Sequence, residues 1–386
     1  MKRLLIDYAL KKPLAALMDD ERLVEMFPMS GVTRTGEIYA GIIKNVLPRQ
    51  SLFIDIGLEK NAFLDLSDAR ERRLFADGKL CALPGQALTV QVLKDPRDGK
   101  GALVTSQISC AGARLVLTGS PGGVSVSRRV TDPDEHAQLK KIGESVLPGG
   151  FSLIMRTVCA GKGEEEIKRE LESLIKLYGD ILERARYAAP PCAVYAEDPA
   201  GRVLKDLAAE GIERIIVNGA PDPRKLRQTA CDMGFGGAAF EIYAGGMPLF
   251  DAYGVSRQAE KALMTKVWLN CGGWITVERT EACVVIDVNT GKYTAGKGRE
   301  KAALKVNLEA AAEAARQLRL RNLSGIIIID FIDLREEEDK QTLCGRFREE
   351  LAKDRISASM VGMTELHLMQ VTRKKAGLSL AELLSV

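Results

Sequence analysis

Two unbroken apolar runs in the last third of the chain each end on a carboxylate. The first is Ala282-Cys-Val-Val-Ile-Asp-Val-Asn289 and the second Gly325-Ile-Ile-Ile-Ile-Asp-Phe-Ile-Asp333. Short runs rich in Val and Ile predict strands buried inside a sheet. Between them, Glu300 to Leu320 is dense in Ala, Leu and Arg, the composition of a long helix. A helical connection of this kind can return the chain so that the second strand lies beside the first. A strand at Gly273–Arg279 precedes this block, and a helix and one closing strand are expected after it.

Upstream the pattern changes. Ile38–Leu47, Ser51–Ile56 and Asn61–Leu66 read as short strands, and Gln86–Lys94 with Gly101–Ser106 as a hairpin around Asp95 to Lys100. Short strands at this spacing predict a small closed barrel of the OB type. Strands and turns follow over Arg114–Val126, then a strand at Ser152–Val158. Ile167, Leu171, Leu174, Ile175, Ile181 and Leu182 mark one stripe of a long amphipathic helix, which Ala189-Pro-Pro191 ends. Between 194 and 262 the order is strand, helix (Val203–Glu210), strand (Ile212–Val217) and a turn at Gly219–Pro223. Residues 1–35 hold a short strand, Arg3–Asp7, and a mixed segment, Leu14–Phe27. That is too little to fold alone, so its strand is expected to join the sheet of the later α/β unit. The fold class is α+β and multidomain.

Composition narrows the class. The chain has 386 residues, 46% of them hydrophobic and 28% charged, as in soluble globular proteins. Its net charge of +3 leaves any affinity for nucleic acid to local patches. The eight cysteines contain no C-x-x-C spacing, and His136 and His367 are the two histidines, which argues against a Cys/His zinc site. Scattered thiols in apolar runs fit a reducing compartment. Asp7 and Lys11-Lys12 interrupt any signal-peptide core, and no apolar run reaches membrane-spanning length. A soluble, cytoplasmic protein is expected.

The strand-end carboxylates are the first candidate chemistry. An ionised Asp within a sheet is costly unless a cation meets it, so Asp287 and Asp330 call for a shared partner, for which Mg²⁺ is the simplest choice. Asn289 projects on the same side as Asp287, because residues two apart on a strand share a face. The competing reading is that these residues merely cap turns. Gly291-Lys-Tyr-Thr-Ala-Gly-Lys-Gly298 nearly matches a P-loop, but Gly298 stands where the metal-binding hydroxyl belongs. A basic loop near a phosphate-bearing substrate fits it better, with a solvated turn as the alternative. Phe53 and Phe63 flank a turn of the barrel and could stack unpaired bases while Lys100 tracks phosphates, or both could fill the barrel core. Arg70, Arg72 and Arg73 read as a solvated face. Arg156 and Thr157 follow the run Leu153–Met155 and together could grip a phosphate, or Thr157 could serve strand packing alone.

These segments, taken together, resemble a known family. Thr280–Asn289, Asn307–Gly325 and Ile326–Asp333 look like the catalytic block of the ribonuclease E/G family. Gly36-Glu-Ile-Tyr-Ala-Gly41 and Phe53-Ile-Asp-Ile-Gly57 resemble its RNA-binding barrel, and Ile154-Met-Arg-Thr157 its 5′-end sensor. Gly245-Gly-Met-Pro-Leu-Phe250 and Val371-Thr-Arg-Lys-Lys375 are similar in kind, whereas Leu366-His-Leu-Met-Gln370 departs from the usual pattern.

The resemblance implies an RNase H-like fold (residues 1–35 and 199–262) interrupted by an OB-fold, ribosomal-S1-type RNA-binding barrel (36–106) and a 5′-sensor (107–198). A DNase I-like catalytic domain (263–386) follows. It implies a Mg²⁺-dependent, single-strand-specific endoribonuclease acting on mRNA and rRNA precursors, leaving a 5′-phosphate and a 3′-hydroxyl. Asp287, Asp330 and Asn289 would then be catalytic and metal-binding, Phe53, Phe63 and Lys100 would contact RNA, and Arg156 with Thr157 would hold a 5′-monophosphate. Val386 precedes the place of the family's paired-cysteine zinc link and small domain, so any homodimer is expected to lack that link.

Overall fold

The chain opens as an antiparallel meander of β1 (Lys2–Asp7), β2 (Leu14–Asp19) and β3 (Arg22–Pro28). The sequence pattern predicts only the first of these. Leu14 to Met18 are all buried, so β2 has no polar face and no alternation to reveal it. The computed structural model describes residues 1–30, 33–47, 51–68, 71, 74–76, 79–96, 99–291 and 299–385. They form two units: one of 1–30, 212–223 and 238–386, the other of 31–211 and 224–237.

In the second unit β4 (Ile38–Leu47), β5 (Ser51–Asp55), β6 (Ala62–Asp65), β9 (Ala87–Lys94) and β10 (Leu103–Thr105) form a barrel; β7 (Phe75–Ala76) and β8 (Lys79–Leu80) make a separate small ribbon. The order β4-β5-β6-β10-β9 closes through a β4–β9 pairing, with β10 parallel to β6, consistent with an OB-like domain. Leu52, Ile54, Leu64, Val90, Val92 and Val104 fill it.

A four-stranded sheet follows, built from β11 (Ser109–Ala111), β12 (Leu115–Thr118), β13 (Gly123–Val126) and, after α1 (Pro133–Val146), β14 (Ser152–Met155). The sequence pattern misses α1. Its start is nevertheless written locally, since Asp132 accepts from the backbone N–H groups of Asp134 and Glu135 and Pro133 fits the first turn. The amphipathic helix α2 (Glu164–Tyr187) lays Ile167, Leu171, Leu174 and Ile181 into the core of this sheet. Next come β15 (Cys192–Tyr195), which pairs with β4, and α3 (Pro199–Asp206). α3 begins and ends about four residues before the expected Val203–Glu210, because Asp198 caps it ahead of Pro199.

Back in the first unit, β16 (Arg214–Asn218) pairs with β1, so the N-terminal strand joins the later sheet as expected, and the two run parallel. Beyond α4 (Pro223–Ala230), β17 (Ala239–Ile242) pairs with β16 and extends the meander to β17-β16-β1-β2-β3. α5 (Leu249–Ala252) and α6 (Val255–Ala262) bury Leu249, Phe250, Val255 and Ala259 beside Leu5, Met18 and Leu23.

The remaining elements are β18 (Lys266–Trp268), β19 (Trp274–Arg279), β20 (Cys283–Asn289), α7 (Arg299–Leu320), β21 (Gly325–Asp330), α8 (Glu337–Ala352), β22 (Ala358–Met363), β23 (Leu368–Arg373) and α9 (Leu380–Ser385). Their sheet has the order β18-β19-β20-β21-β23-β22. The end of the chain is a hairpin and a helix rather than the single closing strand expected. Ile286, Ile327, Ile329 and Met369 on one sheet face pack against Val306, Ala310, Ala314 and Leu318 of α7 and Leu343 and Phe347 of α8. α9 adds Leu380 and Leu383 to the core under the meander. Buried Glu25 of β3 meets Arg319 of α7 at 3.0 Å and Arg355 at 2.7 Å.

Candidate functional site

β20 and β21 are parallel and in register, so Asp287 and Asp330 are Cα partners. Parallel neighbours lie about 4.8 Å apart, which puts both carboxylates on one face at the C-terminal ends of their strands. Ligands of open α/β sheets bind at such ends. Asn289 Nδ2 donates to Asp287 Oδ2 at 2.6 Å, which leaves its carbonyl oxygen as an acceptor. Partial loss of solvent on the sheet-facing side raises the Asp330 carboxyl above its ordinary range, and the charges of Asp287 and Asp333 raise it further. Among the described residues no lysine or arginine forms an ion pair with Asp287 or Asp330.

The expectation that these carboxylates lie enclosed in the sheet does not hold. α7 and α8 cover the opposite face, while Asp287 is half-buried, Asp330 is exposed and Ile326 is 55% exposed. Among the described residues no group of three or more His, Cys, Asp or Glu side chains could cage a metal. Two carboxylates and an amide oxygen are hard donors that leave room for water, which fits Mg²⁺. Cage-forming soft ligands are not part of the set. Cys110 and Cys159 sit elsewhere as buried thiols, pushed up to about 11 and about 12 by burial.

On the barrel, Phe53 and Phe63 face each other across β5 and β6 with ring centroids 5.7 Å apart and planes at 64°. Both are half-buried, and Leu52, Ile54, Ala62 and Leu64 occupy the core instead. The two phenylalanines therefore stand outside the barrel core. Phe63 pairs with Leu103, and Leu103 with Lys94, so a second lysine lies in the same cross-strand row. Lys94 was not singled out from sequence, although the β9 alternation could have placed it. Lys100 is exposed just before β10, and Lys60 donates to the neighbouring Gly99 carbonyl. Arg70, Arg72 and Arg73 lie outside the described residues, as does 292–298 of the near-P-loop.

Arg156 and Thr157 sit at the end of β14, where Thr157 opens a short 3₁₀ turn to Cys159. Arg156 Nη1 donates to the carbonyls of Gly112, Ala113 and Lys205 at 2.9, 3.1 and 3.4 Å. Its backbone N–H donates to the Arg114 carbonyl at 2.7 Å. Glu170 of α2 in turn accepts from the Arg114 and Leu115 N–H groups and from Arg114 Nη1. Backbone carbonyls thus hold one edge of the Arg156 guanidinium.

Residues 109–376 match the model of the Ribonuclease E/G family. The chain belongs to the ribonuclease E/G family. It is 33% identical over 380 residues to ribonuclease E of Nostoc sp., a match covering 96% of this chain and 55% of that protein. It is 33% identical over 383 residues to ribonuclease E of Synechocystis sp., covering 97% and 57%. With ribonuclease G of Haemophilus influenzae it shares 35% identity over 366 residues, covering 90% and 74%. The chain thus spans little more than half the length of these two ribonuclease E relatives.

The ribonuclease E/G match contains Asp287, Asn289, Asp330, Arg156 and Thr157, whereas Phe53, Phe63 and Lys100 precede it. Sequence reasoning passed over one further residue inside the match. Asn307, wholly buried on α7, bonds to the backbone just beyond Asp330. A polar amide on an otherwise Ala- and Leu-lined helix face was the available signal. A cavity of about 540 Å³ beside α8, lined in part by Glu337, Lys340, Cys344, Arg348 and His367, contains none of the candidate residues.

Proposed function

We propose that this chain is a Mg²⁺-dependent, single-strand-specific endoribonuclease of RNA processing and decay. The observation that carries this reading is the in-register pairing of Asp287 with Asp330 on an open sheet face. The domain scheme laid out from the resemblance, with its RNase H-like and DNase I-like parts, goes with it, as do a cytoplasmic location and products ending in 5′-phosphate and 3′-hydroxyl. Among the described residues no helix is long and apolar enough to cross a membrane.

Asp287 and Asp330 would hold the ion, and Asn289 orients Asp287 through its hydrogen bond. A hard divalent ion bound there supplies Lewis-acid stabilisation of the charge that builds on the attacked phosphate. The outward Phe53 and Phe63 rings offer π-faces to unpaired bases. Bases in a duplex already stack on one another, so this surface selects single strands. Lys94, in the cross-strand row of Phe63, and exposed Lys100 ahead of β10 supply cations for backbone phosphates. Arg156, fixed through Nη1, and the adjacent Thr157 hydroxyl suit a terminal monophosphate.

Matched 5′-monophosphate and 5′-triphosphate single-stranded RNAs, incubated with Mg²⁺ or EDTA, test this. Wild type should cut only with Mg²⁺ and prefer the monophosphate, and Asp287→Asn should cut neither RNA. Arg156→Ala should lose the preference. Normal cutting by Asp287→Asn refutes the metal assignment, and a wild type that binds both RNAs with Mg²⁺ but cuts neither leaves an RNA-binding protein without catalysis.

A further inference from the structure

The row of residues through the two carboxylates does not stop at β20. Asp287 pairs with Thr276 of β19, and Thr276 pairs with Lys266 of the edge strand β18. Directly paired residues share a sheet face, so Lys266 looks out on the same side as Asp287, two strand spacings or about 10 Å away. The adjacent row runs Trp268, Trp274, Asn289 by the same pairing. Two tryptophans and a lysine therefore flank the candidate metal ligands on the open face.

These three side chains form one cluster. The Trp268 and Trp274 ring centroids are 5.4 Å apart, edge to face. Lys266 Nζ lies 4.1 Å from the Trp268 centroid and 3.7 Å from that of Trp274, within cation–π range of both. Trp268 is nevertheless 64% exposed, a large apolar surface left in water at a sheet edge. The hairpin that presents the rings is held from behind, where the Glu309 carboxylate of α7 accepts from the N–H groups of Asn270 and Cys271. A rigid, exposed aromatic pair topped by a cation suits a ligand with a flat π-face and an anionic tether. The opposite end of the same face carries exposed Glu278, which repels such a ligand.

We infer that Trp268, Trp274 and Lys266 form a stacking subsite for an unpaired base of the RNA strand, next to the phosphate cut between Asp287 and Asp330. Trp268 takes the base, Trp274 backs it, and Lys266 meets the adjoining phosphate. The inference rests on the endoribonuclease reading and adds a contact on the catalytic sheet, separate from the barrel phenylalanines.

The chain contains two tryptophans and both are in this cluster, so fluorescence excited at the red edge, where tryptophan absorbs and the eight tyrosines do not, reads the subsite alone. The intact protein in EDTA, where cleavage is off, is titrated with a short single-stranded RNA and with an abasic sugar–phosphate strand of equal charge. Fluorescein anisotropy reports binding of each strand independently. RNA should quench the emission and the abasic strand should not. Trp268→Ala should weaken RNA binding about tenfold, Trp268→Phe should restore most of it, and Lys266→Gln should weaken both strands. Emission unchanged while anisotropy shows RNA bound, or equal quenching by the abasic strand, overturns the subsite but leaves the endoribonuclease reading intact. No anisotropy change with either strand overturns both.

Discussion

Asn307 and Ile332 exchange two hydrogen bonds. Asn307 Nδ2 donates to the Ile332 carbonyl at 2.7 Å, and the Ile332 N–H donates to Asn307 Oδ1 at 3.0 Å. A buried side-chain amide thus serves as a strand neighbour for Ile332, the second residue past Asp330, where β21 has ended. The link ties the position of Asp330 to helix α7, which the sheet core already holds in place.

Replacing that amide should disturb both stability and metal use. Asn307→Ala leaves a backbone donor and a backbone acceptor without partners, at a cost of about 1–3 kcal/mol in urea unfolding. It should also raise the Mg²⁺ concentration needed for half-maximal cleavage. A variant with wild-type unfolding and wild-type Mg²⁺ dependence would show that the exchange is incidental.

The paired carboxylates should burden the protein when no metal is bound. Like charges on adjacent strands cost about 0.2–1 kcal/mol, so Asp330→Asn is expected to be more stable than wild type by that amount in EDTA. Millimolar Mg²⁺ should raise the melting temperature of wild type and leave that of Asp330→Asn unchanged, because only an ion bound to the folded state stabilises it. A wild-type melting temperature indifferent to Mg²⁺ counts against the ion site.

The barrel phenylalanines should matter more to RNA than to folding. Phe53→Ala and Phe63→Ala are each expected to weaken single-strand binding about tenfold by anisotropy. Since both rings are half-buried, each should cost less stability than the roughly 3–5 kcal/mol of a core Phe→Ala change. Large destabilisation with unaltered RNA affinity would return them to a packing role.

Acid should loosen the last helix in a defined direction. Ser379 donates through its hydroxyl and its N–H, each at 2.7 Å, to Glu382, and these bonds lower the Glu382 carboxyl below its usual 4.5. Its stabilising contribution is therefore complete above pH 4.5 and lost as pH falls through the lowered value. Glu382→Gln has no such titration, so the gap in urea midpoint between wild type and variant should shrink between pH 7 and pH 3. A constant gap would remove Glu382 from the acid response.

Much of this could be read before any coordinates, and the exceptions have physical causes. Asp287 and Asp330 stand out because apolar strands rarely end on charge, and the helix between them allows the return that the parallel β20–β21 pairing uses. Their open surroundings could not be read, since four isoleucines in a row look the same whether one face or both are covered. β2 escaped notice because burial on both sides removed its alternation, and α1 because its stripe is weak. Spacing alone could not decide between stacking and core roles for Phe53 and Phe63. That choice depends on register, which puts Leu52 and Ile54 inward and Phe53 outward. The β9 alternation and a lone amide on an apolar helix face were faint signals for Lys94 and Asn307, whereas the Trp268–Trp274 pair becomes notable only through its cross-strand pairing.

The contact of α9 with the meander carries a consequence for synthesis. Leu14, Met18 and Leu23 share their core with Leu249, Phe250 and Val255 and also with Leu380 and Leu383, so they wait for partners made long after them. On the ribosome the greasy side of these hairpins is covered in part once α5 and α6 emerge and in full only after α9. Aggregation risk for this protein is therefore concentrated in the nascent chain, and slow codons ahead of α9 would lengthen that danger.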